Sequence, residues 1–141
     1  MTIQEIENDI VDEFELLGDW QEKYQHIIAI GKKLPSFPLE LQTEENKVRG
    51  CQSNVWLVSS FNEGKIFLQG DSDALIVKGL VALVLRVLSG KTPDEILNTQ
   101  LSFIERLGMQ SNLSPTRNNG LAAMINQIKF YALAYKAKTN S

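Results

Sequence analysis

The sequence predicts an α+β fold in which a small antiparallel β-sheet is flanked by helices. Near both ends of the chain, apolar residues recur every three or four positions, which is the period of amphipathic helices. Between them lie two short runs of β-branched and aromatic residues, separated by the turn sequence Asn62-Glu63-Gly64-Lys65. The chain has 141 residues, of which 43% are apolar, so residues 1–141 are assigned to a single domain with its own core.

Two amphipathic helices are predicted at the start of the chain. The first begins behind Thr2 and has acidic residues in its first turns, where they suit the helix dipole. Its apolar stripe consists of Ile3, Ile6, Ile10, Phe14 and Leu17. The second helix follows Gly18-Asp19 and ends near Gly31 and Pro35. The next segment, Leu34 to Leu39, contains two prolines and is predicted as an ordered loop, because proline removes a backbone donor and favours extended angles.

The predicted sheet lies in the middle of the chain. Its two strands are Val55 to Phe61 and Ile66 to Gln69, joined as an antiparallel hairpin. Val48-Arg49 is a candidate for a third short strand. The loop that carries Cys51 would then join two neighbouring strands at one edge of the sheet.

An apolar helix from about Ala74 to Leu88 is predicted to form the centre of the core. Asp71-Ser72-Asp73 precedes it and offers capping oxygens, and Gly79 would allow close backbone packing. The apolar run is about fifteen residues and contains Lys78 and Arg86, whereas a membrane-spanning helix needs about 20 apolar residues. A buried helix is therefore favoured over a membrane anchor.

The remainder of the chain is predicted to be helical. Two short helices are expected near Ile96-Leu97 and Phe103 to Leu107, the first of them behind the capping sequence Thr92-Pro93-Asp94-Glu95. A longer helix begins at Ser114-Pro115-Thr116. Its apolar stripe consists of Leu121, Met124, Ile125, Ile128, Ala132 and Tyr135.

Composition and charge restrict the partners and the compartment. The net charge is −3 and no basic tract is present, so DNA and RNA are not expected as direct ligands. A single cysteine forms no internal disulfide, and the N-terminal residues lack the basic-then-apolar order of a secretory signal. We therefore expect a cytoplasmic protein.

The one cysteine lies in the segment with the clearest chemical signal. Cys51 sits in a polar loop just before an apolar strand, with Arg49 and Lys47 upstream to favour the thiolate. Gly50 permits backbone angles that a side chain would block. Free cysteines commonly pack as small hydrophobic residues, so local chemistry leaves both a reactive and a structural cysteine open.

Several reaction classes are excluded or weakened by the residue counts. Internal disulfide exchange needs a second cysteine, and zinc or iron–sulfur sites need three or four soft ligands, whereas this chain has one cysteine and one histidine. We expect neither a resident metal nor a cofactor. A cysteine hydrolase would need His26 to activate Cys51, but the neighbours Ile27 and Ile28 favour a structural or surface histidine.

Arg117 is the second unusual position. It falls in the first turn of the last predicted helix, where the helix dipole disfavours a cation. Two explanations stay open: Arg117 forms an ion pair or packs over the core, or it docks a partner.

Three sequence blocks, in this order, resemble the SufE family of sulfur acceptors, which includes CsdE. The first is Val48-Arg49-Gly50-Cys51-Gln52-Ser53 with Val55-Trp56. The second is Gly70-Asp71-Ser72-Asp73-Ala74 running into Ile76-Val77-Lys78-Gly79-Leu80. The third is Leu113-Ser114-Pro115-Thr116-Arg117 with Gly120-Leu121 and Met124. The resemblance extends over about residues 5 to 137.

This resemblance implies a fold similar to the scaffold protein IscU and a function as a carrier, not as an enzyme. Cys51 would take the terminal sulfur of a persulfide on a pyridoxal-phosphate-dependent cysteine desulfurase of the SufS or CsdA kind and stimulate that enzyme. It would then relay the sulfur to an iron–sulfur cluster scaffold such as SufB. The chain lacks the further ligands that a scaffold needs.

The main alternative is a module that stimulates a desulfurase allosterically, with Cys51 incidental. In either case we expect Arg49, Asp71, Asp73 and Arg117 to lie on or near the docking surface. We also expect the free protein to shield Cys51 against apolar residues, because an exposed persulfide is lost to small thiols. During transfer, Cys51 is expected to react as a thiolate.

Overall fold

Helices surround a two-stranded antiparallel sheet in the computed structural model, which describes residues 1–139 of the chain. The helices are α1 (Ile3–Glu15), α2 (Trp20–Lys32), α3 (Leu75–Leu88), α4 (Pro93–Asn98), α5 (Phe103–Arg106), α6 (Met109–Asn112) and α7 (Pro115–Thr139). The strands are β1 (Val55–Asn62) and β2 (Lys65–Ser72). Two single 3₁₀ turns, Leu39–Leu41 and Glu44–Asn46, interrupt the long connection between α2 and β1. The predicted α+β class is therefore confirmed.

The hairpin has the tight turn that its sequence predicts. Glu63 and Gly64 occupy the two central positions and both have positive φ angles, 51° and 80°. Left-handed angles at both positions match the twist of the flanking strands. The register runs from Asn62 opposite Lys65 to Val55 opposite Ser72, so β2 is longer than the sequence indicated.

The predicted third strand at Val48-Arg49 is wrong. Lys47 forms a single bridge with Trp56, and the Val48 amide donates to the Val55 carbonyl at 2.8 Å. The pairing stops there because Gly50 has a φ of 93°, which turns the chain away from an extended path. The cysteine loop thus leaves the sheet after one bridge.

Local capping explains where α1, α2 and α4 begin. The Thr2 hydroxyl accepts from the Glu5 amide, and the Glu5 carboxylate accepts from the Thr2 amide in return, so two unpaired donors are satisfied. Thr92 and Glu95 form the same reciprocal pair at the start of α4, and Asp19 caps α2. These three helix starts confirm the sequence prediction.

The start of α3 differs from the prediction that Asp71-Ser72-Asp73 supplies capping oxygens. Ala74 is the N-cap residue, and no side chain caps it. Because β2 extends through Ser72, the acidic side chains point to other partners: Asp73 bonds to Asn54 across the end of the hairpin. The Ser72 hydroxyl accepts from the Ala74 amide at 3.2 Å and is the local substitute for a cap.

The helices α2 and α3 touch through their backbones. A Cβ on Gly31 would lie 2.7 Å from the Gly79 amide nitrogen, and a Cβ on Gly79 would collide with the Ile27 carbonyl oxygen. Real Cβ atoms do not approach so closely, so both glycines are required by this contact. The predicted close packing at Gly79 is confirmed, and α3 is buried along most of its length.

The last helix contacts the outer edge of β1 and one side of the cysteine loop. It begins where the Ser114 hydroxyl accepts from the Arg117 amide at 3.2 Å. Farther along, the Tyr131 hydroxyl donates to the Leu57 carbonyl at 3.3 Å, and the Tyr135 and Ser59 hydroxyls are 3.0 Å apart. Helix α6, which the sequence did not predict, precedes it as a single turn.

Among residues 1–139, we find no helix that is both long and apolar enough to cross a membrane.

Candidate functional site

The loop of residues 49–53 is held at its base and is otherwise weakly attached. On one side, the Val48 amide bonds to the Val55 carbonyl. On the other side, Asn54 is fixed to the segment after β2: its amide and its side-chain nitrogen donate to the two Asp73 carboxylate oxygens at 3.2 and 2.8 Å. The Ser72 hydroxyl also donates to the Asn54 carbonyl at 2.8 Å. Residues 49–53 therefore lie between two fixed points at the base of the loop.

Cys51 lies at the tip of this loop with its side chain directed towards α7. The residue is half-buried, and its Sγ is 3.5 Å from the Gly120 carbonyl oxygen, to which the thiol can donate a weak hydrogen bond. A cavity of about 20 Å³ adjoins the loop. Its lining includes Cys51, Val77, Leu80, Gly120, Leu121 and Met124. The predicted shielding of Cys51 against apolar residues is confirmed.

The electrostatics of the closed loop contradict the predicted activation of the thiol. Burial raises the pKa of Cys51 above the ordinary thiol value, because the charged form is poorly solvated there. The two nearby cations do not offset this effect: Lys47 Nζ is 2.7 Å from a Glu44 carboxylate oxygen, and the Arg49 side chain is exposed. In the closed conformation, Cys51 is therefore a protected neutral thiol.

Arg117 lies at the rim of the same cavity. Its guanidinium carbon is 6.0 Å from the centre of the Tyr24 ring, within reach of a cation–π interaction. The Tyr24 hydroxyl in turn donates to the Asn112 carbonyl at 2.7 Å. The structure thus places Arg117 beside Cys51 and shows an intramolecular contact that accounts for its orientation.

The two acidic candidates, Asp71 and Asp73, both form hydrogen bonds or ion pairs within the chain. An Asp71 carboxylate oxygen is 3.3 Å from Lys78 Nζ, and the Gln42 amide donates weakly to the other oxygen at 3.5 Å. Asp73 holds Asn54, three residues after Cys51. Asp73 therefore belongs to the support of the cysteine loop, a role that the sequence did not reveal.

His26 is not brought to Cys51. Its Nε2 is 2.8 Å from a Glu13 carboxylate oxygen, and its ring packs edge-on against Phe14 at a centroid distance of 5.0 Å. These contacts tie α2 to α1, and His26 is not among the residues that line the Cys51 cavity. A catalytic cysteine–histidine pair is therefore unsupported. Within residues 1–139, no cluster of three or more potential metal ligands is present.

Two contributors to the site were missed from the sequence. Gly120 provides the oxygen and the open space beside Cys51, although it lies 69 residues away along the chain. Asn54 closes the base of the loop. Gly120 does lie in the third sequence block of the resemblance, but only the packing of α7 against the loop shows what it contacts.

Fold and site together define a small α+β protein built around one sheltered cysteine on a hinged loop. Comparison with known proteins gives the family. The model of the SufE domain, described as an Fe-S metabolism associated domain, matches residues 8–132. The chain belongs to the SufE family, and membership implies a sulfur-transfer role linked to iron–sulfur metabolism.

Relatives of similar length support this assignment. An uncharacterised SufE-like protein of Rhizobium meliloti is 42% identical over 127 residues, which cover 86% of this chain and 91% of the relative. A second, from Rhizobium etli, is 43% identical over 127 residues and covers 86% of each chain. The solution structure of a hypothetical protein from Thermus thermophilus superimposes with a TM-score of 0.74 at 23% identity. That match covers 95% of this chain and 96% of the other, and it supports the fold alone.

Proposed function

We propose that this protein is a cytoplasmic sulfur carrier that accepts persulfide sulfur on Cys51 from a cysteine desulfurase of the SufS or CsdA kind. It stimulates that enzyme and relays the sulfur to a cluster scaffold such as SufB. The observation that supports this function best is the placement of the thiol. Cys51 lies at the tip of a glycine-hinged loop, sheltered in an apolar cavity, in a chain of the SufE family.

The transfer needs only one thiol on the carrier. The Cys51 thiolate attacks the terminal sulfur of the desulfurase persulfide; a new sulfur–sulfur bond forms on Cys51 as the bond on the enzyme breaks, and the enzyme leaves as a thiolate. No net oxidation occurs, since the sulfane sulfur moves without change of oxidation state. Carbon–sulfur cleavage belongs to the desulfurase and its pyridoxal phosphate.

Docking must open the loop before this reaction takes place. In the closed conformation the thiol is half-buried and its pKa is raised, so both access and ionisation are poor. The contact that holds the tip, a thiol to a carbonyl oxygen at 3.5 Å, is weak. Gly50 already has a left-handed φ of 93° and provides the hinge. Displacing the tip therefore requires breaking only one weak hydrogen bond besides the apolar contacts of the thiol.

We place the docking surface around the loop, with Arg49, Asp71, Asp73 and Arg117 as its charged residues. Arg49 and Asp73 are exposed beside the loop, and Arg117 lines the rim of the cavity. The Asp71 side chain is only partly accessible, with 17% exposure beside Lys78. Removing a charge that pairs across an interface typically costs about 2–5 kcal/mol of binding.

The test is to incubate the protein with a desulfurase and cysteine and to measure the intact mass. We expect a single-sulfur adduct on the wild-type protein and on the His26→Ala control, and none on Cys51→Ser. The serine hydroxyl stays protonated and forms no persulfide, while docking is preserved. Stimulation of cysteine turnover must also disappear in Cys51→Ser. If it persists there, the protein acts as an allosteric module and Cys51 is incidental.

A further inference from the structure

We infer that the closed cavity admits one added sulfur atom on Cys51 and excludes longer sulfur chains, and that Gly120 is the residue that leaves the room. This inference rests on the proposed function, because it concerns the loaded form of the same cysteine. It adds a limit on the cargo: the loop closes over a persulfide and stays open over a chain with two added sulfurs.

The size of the cavity sets this limit. Its volume is about 20 Å³. A single water molecule needs about 10–15 Å³ of free volume of this kind. Since a sulfur atom is larger than a water oxygen, one sulfur fills the space and a second one does not fit.

The inner wall of the cavity consists of packed core side chains. Val77 and Leu80 project from α3, and Leu121 and Met124 project from α7. Their exposed fractions are 8%, 1%, 3% and 1%, so each is packed in the core. Close-packed side chains do not move aside cheaply for an extra atom. The inner side of the cavity therefore does not expand. The remaining lining residues are less buried: Gln52, Ser53, Thr116 and Arg117. A longer chain would therefore be accommodated only by displacing the loop.

Gly120 determines how much room remains next to the sulfur. A Cβ at this position would lie 3.5 Å from Cys51 Sγ, which is an ordinary van der Waals contact. The closed thiol would tolerate that methyl group. A persulfide would not tolerate the methyl group, because the methyl would occupy the space into which the added sulfur atom extends. Glycine at position 120 is thus unnecessary for packing of the free thiol but necessary for packing of the persulfide.

The consequence is selective protection of a single sulfur. When two sulfurs are attached, the open loop exposes the outer one to small thiols. A thiolate attacks that outer sulfur and leaves with it as a small persulfide, and Cys51 retains one sulfur as a persulfide anion. The loop then closes over the remaining atom. The carrier would deliver one sulfur per docking event.

The experiment compares the lifetimes of the two adducts. Wild-type and Gly120→Ala proteins are loaded by a desulfurase with increasing cysteine, separated from the enzyme, and chased with glutathione while intact mass resolves one-sulfur and two-sulfur adducts. We expect the wild-type one-sulfur adduct to be lost about tenfold more slowly than the two-sulfur adduct, since only the former is closed. In Gly120→Ala, the one-sulfur adduct should be lost as fast as the wild-type two-sulfur adduct.

Two further measurements separate this effect from misfolding. The unloaded thiols of wild type and Gly120→Ala should react with iodoacetamide at equal rates, because the closed thiol tolerates the methyl group. Met124→Ala, which enlarges the cavity, should extend the lifetime of the two-sulfur adduct. Equal lifetimes of the two wild-type adducts, or a long-lived one-sulfur adduct in Gly120→Ala, would overturn the inference. An absence of any adduct would instead refute the proposed function.

Discussion

The contact between α2 and α3 and the loop around Cys51 both depend on glycine, but in opposite ways. At the helix contact, Gly31 and Gly79 bring two backbones together, and an added Cβ has no room. In the loop, Gly50 is exposed with a φ of 93°, and an added Cβ would meet only the Ala123 side chain, at 3.4 Å. Gly31 and Gly79 allow the tight packing of α2 against α3, whereas Gly50 gives the cysteine loop a backbone conformation that other residues rarely adopt. Substitutions should therefore affect stability in one region and reactivity in the other.

The largest expected effect is on stability, from Gly79→Ala. Its Cβ would collide with the Ile27 carbonyl oxygen, so α2 and α3 must separate. We expect the free energy of unfolding to fall by about 3 kcal/mol, at the upper end for overpacking of a core. Urea denaturation followed by circular dichroism measures this change.

Gly18→Ala is the matched control for that measurement. There the added Cβ would meet the carboxylate of Glu22 at 3.0 Å, which is the movable end of a side chain. We expect a change within about 1 kcal/mol. If Gly79→Ala were as stable as this control, the helix contact would be adjustable and the contrast with the loop would disappear.

Much of the stable region was predictable from sequence because its determinants are local. Thr2 and Asp19 cap their helices through hydrogen bonds to amides three residues along the chain. The hairpin turn is likewise determined by four consecutive residues, 62–65. The geometry of the site depends instead on contacts between residues that are far apart in the sequence. The contact of Cys51 with Gly120 and the bonds of Asn54 with Asp73 join segments 69 and 19 residues apart. The predicted lowering of the Cys51 pKa by adjacent cations was wrong for the closed loop for the same reason, because burial between α3 and α7 raises the pKa of the thiol instead.

The next prediction concerns the base of the loop. Asp73→Ala removes two hydrogen bonds to Asn54, which are solvent-exposed and worth about 1 kcal/mol together. The free energy of unfolding should fall by no more than about 1 kcal/mol. Iodoacetamide should label Cys51 about fivefold faster, because the cysteine loop opens more easily. Asn54→Ala should produce the same increase, and the double variant should add nothing further. Unchanged labelling combined with weaker desulfurase binding would assign Asp73 to docking alone.

A pH titration sharpens the difference between closed and open loop. Burial raises the pKa of Cys51 in the folded protein above its value in the unfolded chain. The free energy contributed by the protonated thiol is therefore fully present below the unfolded pKa and is lost as the pH rises through the folded pKa. The pH midpoint for labelling of the native protein should lie above the midpoint measured in urea. Coinciding midpoints would mean that the loop is already open.

The smallest effect is expected from Arg49→Ala. The side chain is exposed in the closed loop, where salt and water screen its charge, so labelling of the free protein should not change. In the proposed transfer the loop is open and Cys51 loses the contacts that raise its pKa, so a nearby cation would then favour the thiolate. The pH profile of single-turnover transfer should move upward by a fraction of a unit in Arg49→Ala.

Lys33→Ala, at an exposed position in the cap of α2, is the control for a general loss of positive charge. Raising the salt concentration should reduce the difference between Arg49→Ala and wild type, because screening weakens the interaction between exposed charges. Superimposable profiles at low salt would show that Arg49 does not tune the thiol. Activation of Cys51 would then depend on groups of the desulfurase, and the loop would contribute only its hinge and its shelter.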